Sequence, residues 1–281
     1  MAALLRPLRL IGQSTPPAPS SFRISRKFRA DAVILLLGFP LYRRAAVGGA
    51  ESWLEEDGDR STLFFAGGSD PKRAHGVNRL GWMREVIVKS AATPSEAGYF
   101  GVLTSSPEES LEGARKSYAA PTSNRSLFSA VNGRNTAGHS RSAVTHFECP
   151  NGVLWSDRSL IDRAQSTFHA DVNWRESSWP NSPNQAPPTF LFQLAALLKQ
   201  RARHAVGRYV YSEQEYQLEL DTQTPGRDGL LPVRGKIRNL RTGNETLFRL
   251  WMDKASDSLV PVRIEFQPRS FLRLTFEALP A

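Results

Sequence analysis

The sequence predicts a mainly β chain with a smaller helical part (α+β). The expected form is an antiparallel curved sheet or barrel-like domain with one buried helix and one or two short helices. Three observations carry this. Apolar and polar residues alternate with period two through most of the chain, as strand side chains do when they point to opposite faces. Turn chemistry recurs between those runs, and 19 prolines with 20 glycines in 281 residues leave little room for long helices. Only TFLFQLAALLKQRARH, residues 189–204, is apolar around most of a helix.

The chain divides into residues 1–40, a basic extension or signal-like segment, and 41–281, a single β-rich domain. MAALLRPLRLIGQSTPPAPSSFRISRKFR holds basic residues, prolines and serines but no acid, and is expected to be disordered. AVILLLGF, residues 32–39, is too short for a transmembrane span, which needs about 20 apolar residues. It suits the apolar part of a signal peptide, whereas Arg43 and Arg44 just beyond it oppose export. Periplasmic and cytoplasmic placement both stay open.

Alternation and turn residues place strands at 42–55, 61–66, 82–89, 97–104, 126–131, 142–149, 208–212, 215–221, 231–239, 245–252, 260–267 and 270–278. Asn132-Gly133 and Thr242-Gly243-Asn244 read as tight turns, and 224–229 as a looser loop. Helices are expected at 107–118, 157–167 and 189–204. The first has Ser106 as cap, Pro107 at its first position and Glu109 completing a capping box. The second spaces Leu160, Ala164 and Phe168 four apart, and the third follows Pro187-Pro188 with Thr189 as cap. Between the last two, residues 169–188 are long for an unstructured connection and carry Trp174 and Trp179. Those indoles either fold back as anchors or form a lid over a ligand.

The strongest pattern is at the C-terminus. Val262, Ile264 and Phe266 alternate with Arg263, Glu265 and Gln267; Leu272, Leu274 and Phe276 alternate with Arg273, Thr275 and Glu277. With LFRLWMD before them they predict a three-stranded meander, one side buried.

The order of an apolar helix (TFLFQLAALLK), a strand pair around RYVYSEQEYQLEL, a GKIRN strand and FRLWMDKASDSLVPVRIEF resembles a family of bacterial exported β-barrel-like proteins of unknown function. The matching residues are Leu250-Trp251, the turn 253–259, Pro261-Val262-Arg263-Ile264 and 270–276, within 186–278. The resemblance implies an antiparallel, barrel-like domain of the kind that holds lipid-like cargo in the periplasm. It implies no catalytic residues.

The formal net charge is +9, but the first 50 residues hold eight Arg or Lys against one acid, Asp31, so the body is nearly neutral. No nucleic-acid partner is expected. The single cysteine, Cys149, falls on the apolar side of a strand pattern and reads as a small core residue. His139, His146, His169 and His204 lack metal-ligand spacing, and no nucleotide or cofactor fingerprint is present, so neither metal nor cofactor is expected.

The leading functional reading is a non-catalytic protein that binds an apolar or amphipathic, lipid-like ligand or an envelope partner. Arg73, His75 and Arg79 in loop 67–81, with Trp174 and Trp179, are the candidate binding residues, since guanidinium groups suit anionic heads. Gly67-Gly68 reads as positive-φ or bulge chemistry where a strand leaves its sheet. Two other readings stand: a hydrolase using Ser69, Asp70 and His75, and a structural or assembly protein. No pattern in the chain speaks to its oligomeric state.

Overall fold

The computed structural model describes residues 22–36, 39–74, 79–90, 93–104, 125–150, 152–179, 184–226, 228–253, 259–269 and 272–280. Among the described residues there are fourteen strands: β1 (Phe22–Leu36), β2 (Phe39–Asp57), β3 (Arg60–Ser69), β4 (Leu80–Ser90), β5 (Thr93–Thr104), β6 (Arg125–Thr136), β7 (His139–Pro150), β8 (Arg175–Ser178), β9 (His204–Tyr211), β10 (Gln214–Thr222), β11 (Leu230–Asn239), β12 (Glu245–Asp253), β13 (Arg263–Arg269) and β14 (Leu272–Ala278). They make one antiparallel sheet in the order β8-β7-β6-β5-β4-β3-β2-β1-β14-β13-β12-β11-β10-β9. Two meanders, β1–β8 and β9–β14, are joined by pairing of β1 with β14, for example Ala30 opposite Phe276. Among the described residues the ladder does not close, and β8 and β9 are its edges.

The C-terminal meander takes the expected form. Leu250, Ile264 and Phe276 stand in register across β12, β13 and β14 on the apolar side, and Arg263 pairs with Glu277 on the wet side. Each strand expected from alternation is found within a few residues of its expected bounds.

Residues 22–36 differ from the disordered or signal-like extension expected over 1–40. They form β1, the strand that links the two halves of the sheet. Phe28 and Ala30 are buried while Arg23, Ser25, Lys27 and Arg29 are exposed. This is ordinary alternation, hidden by the number of basic residues on its wet side.

Asn132-Gly133 is not a turn. Both lie inside β6, and the reversal comes later, with Gly138 at φ 68°. Gly133 is there because the Tyr99 ring lies across it: a Cβ at 133 would stand 2.0 Å from Tyr99 Cζ. Gly67 and Gly68 likewise lie within β3 without positive φ. A Cβ on Gly68 would meet the Arg79 carbonyl oxygen at 2.7 Å, so close packing of β3 on its neighbours is their reason. The turn at Gly243 (φ 73°) is as expected.

Two helices, α1 (Arg158–Ser166) and α2 (Phe190–Lys199), lie among the described residues. Asp157 caps α1 by accepting the Ser159 N–H at 2.9 Å. The third expected helix stops at Lys199 instead of 204; Arg201 takes φ 49° and β9 begins at His204. In α2 only Leu197 is fully buried. The helix expected at 107–118 lies outside the described residues.

Paired residues share a face, so the registers separate two clusters. Leu160 and Ala164 of α1, with Phe168, cover Phe100, Val102, Phe128, Phe147 and Cys149 on one face of β5–β7. Leu197 of α2 joins Tyr209, Leu218, Leu220, Val233, Phe248 and Leu250 on the other face, beneath β9–β12. Cys149 is thus a small core residue, as its position in the pattern predicts. On the α2 face the β9–β10 turn reaches across to the first meander: the Ser212 N–H donates to Tyr99 Oη at 2.8 Å, and Ser142 Oγ donates to Glu213.

Candidate functional site

The most distinctive feature outside the core is the far end of the β1–β2 pair. Ala30 faces Gly48 but Ala32 faces Arg44, so Asp31 alone stands opposite residues 45–47. The extra β2 residues form a bulge, and Ala46 sits at φ 53°, a conformation non-glycine residues seldom adopt. Asp31, 1% exposed, holds the bulge together. It accepts the Ala46 N–H at 2.8 Å and an Arg43 guanidinium N–H at 2.8 Å, and Arg29 Nε lies 3.4 Å away. Burial pushes the Asp31 carboxyl up, but the Ala46 N–H, the Arg43 hydrogen bond and the Arg29 and Arg43 charges together outweigh it. The carboxyl lies below its ordinary 3.8.

Beyond this clamp the end of the pair forms an arm. Pairing of β2 with β3 ends at Gly48–Ser69, while β1 stays paired with β14 as far as Ile34–Leu272, the last such pair among the described residues. Residues 39–45 are all exposed, and the tip is apolar: Leu36, Phe39, Leu41 and Tyr42 are 59%, 76%, 67% and 58% exposed. Arg43 and Arg44 follow at once, and Arg44 has no ion pair among the described residues.

The base of the arm and the wet face of β13–β14 enclose a cleft of about 440 Å³. It is lined by Val33, Pro40, Arg43, Arg263, Glu265, Arg273, Thr275 and Glu277. Glu277 binds Arg263 at 3.1 Å and Arg29 at 3.5 Å. Arg263 also lies over Trp251, 5.2 Å from the ring centroid. Arg273 and Glu265 have no ion pair among the described residues, and Arg273 Nε is buried without a hydrogen-bond partner. The cleft therefore offers one uncommitted guanidinium and one uncommitted carboxylate beside the apolar Val33 and Pro40.

Of the described residues expected to bind, Arg79 and Trp179 lie at opposite ends of the sheet. Arg73 is exposed and pairs with Asp70 at 3.7 Å. The Arg79 main chain is tied to Ser69: Ser69 Oγ accepts the Arg79 N–H at 2.9 Å and donates to the Arg79 carbonyl at 3.2 Å. His75 lies outside the described residues. Trp174 packs on Phe168, 6.2 Å between ring centroids, and carries the Arg141 guanidinium 4.9 Å above it. Trp179 follows β8, and its main-chain N–H donates to Gly138 O at 2.7 Å. By register, Trp179 lies at the end of the sheet marked by His139, Glu96 and Val88, whereas Arg79 adjoins Leu80 at the opposite end of β4. Of the hydrolase set, the Ser69 hydroxyl serves that main-chain link. Asp70 accepts the Lys72 N–H at 2.9 Å as a turn does.

A second polar site lies inside. Glu85 of β4, fully buried on the α2 face, accepts the Thr189 hydroxyl at 2.6 Å and the N–H groups of Leu191 and Phe192 at 2.9 and 3.2 Å. Thr189 thus gives its hydroxyl to β4 and makes no side-chain cap for α2, and Glu85 fills that role. Burial pushes Glu85 up to about 7, against these donors, which favour its charged form.

Among the described residues no group of three or more His, Cys, Asp or Glu could hold a metal ion, and no helix is long and apolar enough to cross a membrane. The sequence matches no protein-family model and no curated protein.

The arm was legible only in part. Its turn chemistry, Gly38 and Pro40 between two apolar runs, signals a hairpin, but the same letters satisfy a signal-like segment. The cleft carries no local signal, because β1–β14 pairing assembles it from the two ends of the chain.

Proposed function

We propose that this chain is a non-catalytic binding protein of the cell envelope. In this reading the sheet curls into a barrel-like body around α2 and carries an amphipathic, lipid-like molecule. The single observation behind it is the cleft, where Arg273 stands without a counter-ion beside Val33, Pro40 and an exposed apolar arm. An anionic or zwitterionic head would meet Arg273 and Glu265, and its hydrocarbon would lie against the arm. Charge-assisted hydrogen bonds would fix the head, and removal of apolar surface from water would stabilise the tail. The resemblance of residues 186–278 to exported β-barrel-like proteins supports the envelope setting. So do the reach of the β9–β10 turn to Tyr99 and of α2 to Glu85, which support a curled body.

Native mass spectrometry of the chain purified from its own cells tests this. The expected spectrum holds a co-purified lipid-sized adduct that disappears in Arg273→Ala. A spectrum of bare protein alone overturns the cargo reading.

A further inference from the structure

We infer that the β1–β2 arm docks the protein onto an anionic lipid bilayer. This concerns the tip of the arm and stands whether or not the cleft at its base holds a ligand.

The arm has the chemistry of an interfacial anchor. Leu36, Phe39, Leu41 and Tyr42 form its end, each more than half exposed. From 32 to 50 the sequence has two arginines and no acid; both directly follow the apolar residues, Arg43 paired with Asp31 and Arg44 without an ion pair among the described residues. Apolar side chains at the depth of the acyl boundary, with cations behind them at the depth of the phosphates, are the two signals a stable peripheral anchor requires. Tyr42 adds a ring with one polar end, suited to that boundary.

The backbone of the tip can enter such a layer. Ile34 pairs with Tyr42, Leu35 with Pro40 and Leu36 with Phe39, so the inner edges of the two strands are paired, and the outer edges keep their hydrogen bonds to water and headgroups at the interfacial depth. Pro40 has no N–H to leave unpaired on the open edge.

More positive charge lies at the same end. The Asp70 N–H donates to Val47 O at 2.7 Å, tying the β3–β4 loop to the bulge. That loop carries Lys72, which has no ion pair among the described residues, and Arg73. Of the acids nearby, Asp31 is committed to Arg43 and Arg29, Asp70 to Arg73 and Glu277 to Arg263 and Arg29, which leaves Glu265, in the cleft at the base of the arm, without an ion pair among the described residues.

A bilayer fits the arm better than a protein groove does. Consecutive residues 39–45 are exposed, so both faces of the β2 strand of the arm meet solvent, while Val33 and Leu35 on its β1 strand are buried. A groove would cover one face and strand the other; a fluid interface surrounds the whole tip.

The test is co-sedimentation of the full chain with vesicles of phosphatidylcholine and phosphatidylglycerol, 7:3, and with phosphatidylcholine alone. Binding is expected to the first and not to the second, and to weaken as salt rises. Phe39→Ser with Leu41→Ser is expected to weaken it by at least about tenfold, by loss of apolar burial. Arg44→Glu is expected to weaken it by about tenfold, by exchanging two charges near the surface. These residues lie outside the core, so thermal melts of the variants should match the parent. A second measurement places a polarity-sensitive fluorophore on Leu41→Cys in a Cys149→Ser background. Its emission should shift to the blue on the mixed vesicles, and the same label on Asp59→Cys, at the other end of β2, should not shift. Failure to sediment with the anionic vesicles overturns the inference. So does binding that is indifferent to the double variant. A photo-crosslinker at Phe39 that captures an envelope protein while vesicles are ignored overturns it in favour of a protein partner. Loss of the lipid-sized adduct with vesicle binding intact would strike only the cleft.

Discussion

Glu85 accepts the Thr189 hydroxyl at 2.6 Å across 104 residues of sequence, joining the middle of the first meander to the start of α2. The same carboxylate oxygen takes the N–H groups of Leu191 and Phe192, which otherwise lack intrahelical partners. Glu85→Ala leaves a hydroxyl and two amides buried without acceptors. A loss of about 3–5 kcal/mol is expected, taking roughly 1–3 kcal/mol for each stranded group with some relief by water. Glu85→Gln keeps a carbonyl oxygen in place and should cost about 1 kcal/mol. Urea unfolding at pH 6 checks both.

The same carboxyl gives a pH dependence of known sign. Unfolded, it ionises near 4.5; folded, burial keeps it protonated up to about 7, although its donors pull the other way. Its contribution to stability is therefore full below 4.5 and declines as pH rises through about 7, with a slope of at most about 1.4 kcal/mol per pH unit. The difference in urea midpoint between the parent and Glu85→Gln should shrink or reverse over that window. An equal difference at pH 4.5 and pH 8 would refute the assignment.

Gly133 makes a sharper prediction. A Cβ there would stand 2.3 Å from Tyr99 Oη and 2.0 Å from Cζ, so the ring must move. Tyr99 is fully buried, and its oxygen accepts the Ser212 N–H that ties the second meander to the first. Gly133→Ala should cost about 1–3 kcal/mol by overpacking. The double variant Gly133→Ala with Tyr99→Phe should not recover the parent midpoint, because the clash with the ring remains. Tyr99→Leu, which empties the space over Gly133, should make the added methyl nearly neutral.

How much of this could be read from residues alone follows from where the information lies. Strand alternation is local, so β12–β14 were legible from Val262 to Phe276. β1 was not, because Arg23, Lys27 and Arg29 occupy its wet side and made a central strand resemble a disordered extension. Gly133 misled for the opposite reason: its meaning depends on Tyr99, thirty-odd residues earlier. The candidate cleft was hidden entirely, since nothing near Arg273 in sequence points to Val33 or Arg43. Those residues meet only because Val33 stands opposite Arg273 in the β1–β14 register.

Arg273 separates ligand recognition from folding. It has no ion pair among the described residues, so Arg273→Ala should change stability by no more than about 0.5 kcal/mol. A short-chain anionic phospholipid titrated into the protein calorimetrically should bind about ten to a hundred times more weakly to this variant, the value of one charge-assisted contact. Arg273→Lys should restore only part of that affinity, because an ammonium cannot make the paired contact of a guanidinium. Equal affinity in all three proteins would remove Arg273 from the site.

Asp31 holds the bulge at the base of the arm together. Its two oxygens accept from Ala46 and Arg43 simultaneously. Asparagine has one acceptor and one donor, so in Asp31→Asn one of those donors faces another donor. The cost should be about 1–3 kcal/mol, felt at the bulge more than in the core. The clearest measurement is hydrogen exchange of the Ala46 amide, which should quicken by tenfold or more, since each ~1.4 kcal/mol is a factor of ten. The pH dependence runs opposite to that of Glu85. The folded carboxyl ionises below its ordinary 3.8, so its contribution is complete above 3.8 and is lost as pH falls through the folded value. Acidification below 3.8 should therefore loosen the arm in the parent, while Asp31→Asn, already loose, should show no further change at Ala46. Protection of Ala46 that is the same in both proteins at neutral pH would mean that the bulge is held by something other than Asp31.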